Sequence, residues 1–157
     1  TAHYRKRLER AAVDDSQYSD NLKRFLMHHC WGLRDDLLYD RFIISRVMPN
    51  VELLQQATDD NRAAFEQVYG EYIKWNNELI QSVGVVEGFN RAELVANYLR
   101  GALINCDDAN KQYDDASLYY QFSYALAQLM GHSDKRIPKQ TDYAIWLAGL
   151  EPAANAA

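Results

Sequence analysis

His28, His29 and Cys30 stand in a row, three side chains able to ligate a metal or carry a proton. A zinc or iron ion needs about four converging donors, and neighbours on a helix point about 100° apart. Only His3 and His132 remain among the histidines. No Cys-x-x-Cys, His-Glu-x-x-His or Glu-x-x-His spacing occurs, so zinc-finger, metalloprotease, c-type haem and di-iron bundle chemistry are all unsupported. A globin haem would suit the length, but no pattern marks a proximal histidine. His29 shares a helical stripe with Leu22, Phe25, Leu26 and Leu33, where a hydrogen-bonded core histidine is the expected outcome.

Asp35, Asp36 and Asp40 form the second cluster. Over six residues it resembles the aspartate-rich sequences that hold magnesium diphosphate in all-helical prenyl-transferring enzymes. That resemblance implies an acidic, metal-dependent site, in a chain far shorter than those enzymes. Against it, Asp-Asp recurs at 14–15, 35–36, 59–60, 107–108 and 114–115, mostly beside helix starts. There a carboxylate satisfies free backbone N–H groups and the positive helix end, for roughly 0.3–1 kcal/mol each. The weak ligand set is thus Asp35, Asp36, Asp40, His28 and His29, and no metal or other cofactor is expected. Gly-x-Ser-x-Gly, the phosphate-binding P-loop and Gly-x-Gly-x-x-Gly are all missing, so neither a nucleophile–base pair nor a nucleotide cradle can be assigned.

Arg5, Lys6, Arg7 and Arg10 make a basic cluster near one end, with Lys135, Arg136 and Lys139 near the other. The first is the candidate patch for an anionic partner, or else a solvated face or a face docked on an acidic neighbour. A net charge of −5 over 157 residues argues against nucleic acid as a partner for the chain as a whole. Cys30 and Cys106, 76 positions apart, do not form a secreted-type disulfide framework and read as reduced core thiols of a cytoplasmic protein. Neither a signal peptide nor a membrane span is evident.

The elements that must position these groups read as helices throughout. Helical spacing predicts a basic helix over 2–13, a turn at Asp14, Asp15 and Ser16, and a helix capped by Ser19 or Asp20 that Gly32 bends or interrupts. A second segment runs to Met48 before Pro49, and Asn50 caps a short helix over 51–57. Thr58 and Asp59 open a longer helix reaching about Val83, and Gly84 and Gly88 bracket a loop. Asn90 with Glu93 is the best capping box in the chain, ahead of a helix ending near Cys106. Ala116 to Met130 contains no charged residue, glycine or proline, and its apolar groups wrap nearly the whole circumference. Fifteen such residues with two glutamines are too short and polar to cross a bilayer, so protein must surround them. Gly131 caps that helix, and Thr141 caps a last one to about Leu150.

The expected architecture is an all-α, single-domain bundle of six to seven unequal helices around this uncharged helix, about 114–130. The domain spans 1–152 and 153–157 is a loose tail. Eleven tyrosines, which combine apolar area with a polar tip, suit helix packing and protein interfaces alike. Tyr119, Tyr120 and Tyr124 are the interface candidates. The leading reading is a non-enzymatic protein–protein interaction module, an assembly subunit or small regulatory partner, that binds another protein or itself. One alternative is a pocket protein taking a small hydrophobic ligand among Trp31, Trp75 and Tyr120. The other is a small enzyme using the acidic site at Asp35, Asp36 and Asp40.

Overall fold

Four helices open on an oxygen placed to accept an otherwise idle backbone N–H. Asp20 accepts from Lys23 N–H at 3.1 Å, Thr58 from Asn61 N–H at 3.2 Å, and Asp115 from Ser117 N–H at 2.9 Å. Asp142 reaches back to Lys139 N–H at 2.8 Å. These bonds satisfy donors that the first turn of a helix leaves free. In the computed structural model, which describes residues 2–39, 57–83, 91–108, 113–132 and 137–150 (side chains of Tyr39, Asp107 and Asp108 excepted), they start α2, α3, α5 and α6.

Six helices make up the described residues: α1 (Ala2–Gln17), α2 (Asn21–Tyr39), α3 (Asp59–Val83), α4 (Arg91–Asp108), α5 (Ala116–Leu129) and α6 (Gln140–Gly149). The fold is an all-helical bundle. The uncharged helix α5 buries Tyr119, Phe122, Ser123, Leu126 and Ala127 and packs against α2, α4 and α6. It ends as its glycine requires. Gly131 adopts φ 84°, while His132 N–H reaches the Ala127 carbonyl at 2.8 Å and Gly131 N–H the Gln128 carbonyl at 2.9 Å. That paired bonding satisfies the last carbonyls and needs a residue without Cβ in the left-handed region. His132 then donates to the Val83 carbonyl at 2.6 Å, tying the end of α5 to the end of α3.

α2 shares the centre. Phe25 to Cys30 are buried without interruption, and the helix packs against α1, α3, α4 and α5. One apolar core, from Leu22 and Phe25 through Ile80, Val95 and Leu126 to Tyr143, joins α2 to α6.

The structure corrects four local expectations. Asp14, Asp15 and Ser16 lie inside α1, which runs on to Gln17, because the Asp14 carboxylate is held by Arg10 one turn back at 3.0 Å and by His28. α2 passes unbroken through Gly32. Glycine stands there for clearance, since an added Cβ would lie 1.8 Å from an Arg7 guanidinium nitrogen. Asp35 and Asp36 consequently sit in the last third of α2, far from a first turn. The last helix begins at Gln140, with Lys139 rather than Thr141 as its cap. Asn90, the loop at Gly84 to Gly88, the segments over 40–56 and the tail 153–157 lie outside the described residues.

Candidate functional site

The polar side chains converge on the seam between α1, α2 and α3. The basic face of α1 turns inward. Lys6 Nζ lies 2.6 Å from Asp35 Oδ1. Arg7 donates to Asp36 Oδ2 at 2.7 Å and to the Gly32 carbonyl at 3.1 Å. Burial opposes the Arg7 charge and Asp36 overrides it, so the guanidinium stays protonated. Lys6, Arg7 and Arg10 all approach the Trp31 ring, at 5.7, 5.9 and 5.6 Å from its centroid, within cation–π range. Of the four predicted patch residues, only Arg5 is exposed.

One turn further along α1, Asp14 and His28 are both completely buried. His28 Nδ1–H donates to Asp14 Oδ2 at 2.9 Å and Tyr72 O–H donates to His28 Nε2 at 2.9 Å. Burial, reinforced by Arg7 and Arg10, pushes the His28 imidazole well below its usual range. Burial also raises the Asp14 carboxyl to about 6, against the pull of Arg10 and Arg24. His29 donates from Nε2 to Asn76 Oδ1 at 2.9 Å, and burial, with His28 beside it, lowers its pKa to about 3. An acid–imidazole–phenol chain is the arrangement that activates a general base. Here both imidazole nitrogens are occupied and none of the ring reaches solvent, so the chain joins three helices.

A second polar chain crosses the core. Tyr143 O–H donates to Ser123 Oγ at 2.5 Å, Ser123 Oγ lies 2.9 Å from Cys30 Sγ, and Cys30 S–H points to the Tyr119 carbonyl at 3.8 Å. Tyr143 and Ser123 are fully buried. Burial lifts the Cys30 thiol to about 12, far above the range in which a thiolate nucleophile operates. α6 is thereby pinned to α5 and α2 through a phenol, a hydroxyl and a thiol.

The remaining candidates separate. His28 and His29 turn toward Asp14 and Asn76 and share no ligand position with Asp35 and Asp36. Asp40 lies outside the described residues. His3, Asp35 and Asp36 do offer ligand atoms within 4.8 Å of one another, but Lys6 and Arg7 already neutralise the two carboxylates. An added divalent ion would have to compete with both cations. Trp31 lies under the cations of α1, and Trp75 packs its ring 4.6 Å from His28 and donates to Asp15 at 3.2 Å. Tyr119 is fully buried, Tyr120 packs partly against the core, and Tyr124 is 47% exposed.

Sequence reasoning missed Asp14, Tyr72, Asn76, Ser123 and Tyr143. It also missed a groove of about 440 Å³ between α6 and the α1–α2 corner, lined among others by Tyr18, Met27, Tyr143, Ile145 and Trp146. None of Trp31, Trp75 and Tyr120 lines it. The rim helix α6 is short, and its exposed residues include Thr141, Ala144, Ile145 and Ala148 together with its one charged residue, Asp142. Ile145 is 72% exposed. No described helix is long and apolar enough to cross a membrane. No protein-family model, curated protein or solved structure matches the chain.

Proposed function

We propose that the chain is a non-enzymatic protein-binding module, and that its contact face centres on the outer side of α6. The observation that carries this reading is Ile145, the most exposed large apolar residue described, on a helix whose one charged residue is Asp142 in its first turn. Burying a side chain of this size contributes about 1.5–3 kcal/mol to an association. The inward side of α6 is fixed by Tyr143 and Trp146, so the outer row is rigid before any partner arrives, which lowers the ordering cost of binding.

The decisive comparison sets the wild type against Ile145→Glu. Light scattering of the purified protein, with native mass spectrometry of protein taken from its source cells, would report self-association or a bound partner. The expected result is an assembly that Ile145→Glu dissolves without lowering the melting temperature. A strict monomer with no co-purifying protein refutes the reading, as does an assembly indifferent to Ile145→Glu.

The groove beside α6 supports a second reading, a pocket for a small ligand with an apolar part against Met27, Tyr143 and Trp146 and a polar part toward Arg10, Lys23 and Asp142. A small mass increment on the native monomer, in place of a protein partner, would select it.

A further inference from the structure

α1 is attached differently from the other helices. Only Arg7, Ala11 and Asp14 of its sixteen residues are buried, so Ala11 is its one fully buried apolar side chain, with Tyr4 and Leu8 half-buried. The apolar core, as described, draws no residue from α1. The contacts that hold it are mostly polar: Lys6 and Arg7 on Asp35 and Asp36, Arg7 on the Gly32 carbonyl, Asp14 on His28, and Asp15 on the Trp75 indole. Tyr4 adds ring contacts with Phe65, Tyr69 and Tyr72, at 5.7, 5.0 and 5.6 Å between centroids. Charge pairs of this kind return little net free energy, because each group gives up water to form them. The apolar burial that makes folding cooperative lies in α2 to α6.

We propose that α1 is a latch that opens as a unit while α2 to α6 stay folded. Opening carries Arg7, Arg10 and Asp14 away together, and uncovers the Trp31 ring, His28 Nδ1 and the carboxylates of Asp35 and Asp36. The closed state depends on one tight fit, the Arg7 guanidinium lying across the bare backbone of Gly32. A side chain at position 32 forces that guanidinium out while leaving the residues of the core untouched.

Hydrogen exchange on the intact chain near neutral pH tests this, by comparing the amides of Leu8–Asp14 in mid-α1 with those of Phe122–Leu126 in α5. In the wild type the α1 amides should exchange at least about tenfold faster, through an opening smaller than global unfolding. In Gly32→Ala they should gain about a further tenfold while the α5 amides stay within about twofold of wild type. Equal protection of both helices in the wild type overturns the latch, as does acceleration of both alike in the variant. Should Gly32→Ala fail to fold, Arg7→Ala removes the same contact from the α1 side and is read by the same comparison.

Discussion

His29 is held neutral by burial, and the consequence for acid stability can be worked out. Its pKa is about 3 in the fold against 6.5 for the free side chain. Between those values the unfolded chain binds a proton that the folded chain refuses, so stability is complete above 6.5 and is lost as pH falls toward 3. At pH 5 the loss from this residue is RT ln(1 + 10^1.5), about 2 kcal/mol. His28, pushed down by burial and by Arg7 and Arg10, loses in the same direction. Asp14, raised from 3.8 to about 6, works the other way, because its folded form holds the proton first. It returns about 1.4 kcal/mol at pH 5.

Subtraction isolates His29 from these neighbours. Urea unfolding of wild type and His29→Gln at pH 8 and pH 5 gives two acid losses. Glutamine can still donate to Asn76 but cannot be protonated, so the variant should lose about 2 kcal/mol less than wild type. With a urea slope of about 1–3 kcal/mol/M, that is a difference of roughly 1 M between the two midpoint shifts. Acid losses equal to within about 0.5 kcal/mol would mean that His29 is solvated in the native state, and the burial argument would fail.

Two further outcomes follow from the core. Cys30, buried with its thiol raised to about 12, should resist iodoacetamide at pH 7.5 in the folded protein and react fully in urea, as peptide mapping would show. Gly131→Ala places a Cβ at φ 84° and should destabilise the protein by about 1–2 kcal/mol in urea titration without changing its helix content by circular dichroism.

The helices were legible because their signals are local. The uncharged run of α5, the stop at Gly131 and the cap oxygens at Asp20 and Thr58 need only neighbours a few residues away to act. The cross-helix seam was not legible, since the partners of His28 lie 14 and 44 positions away. Pairing across such distances is decided by tertiary geometry, which periodicity does not encode. Gly32 shows how one residue type supports two readings. As a local signal glycine weakens a helix by about 1 kcal/mol, which suggested a break. Its purpose here is clearance for a side chain 25 positions earlier. The cations of α1 left several readings open in the same way: a charged face normally looks outward, and this one looks toward Asp14, Asp35 and Asp36. His29 was legible as a hydrogen-bonded core histidine from its place on the apolar stripe of α2, though its partner Asn76, 47 positions away, was not.

The crossing of Arg7 over Gly32 makes two distant positions answer to each other. A side chain gained at 32 leaves α1 seated only with a shorter residue at 7, and shortening 7 leaves the Asp36 carboxylate facing a gap where its counter-ion lay. Among chains that keep this packing, the pair should therefore change together or not at all. That gives a way to recognise kin of this molecule even where the rest of the sequence has drifted beyond detection.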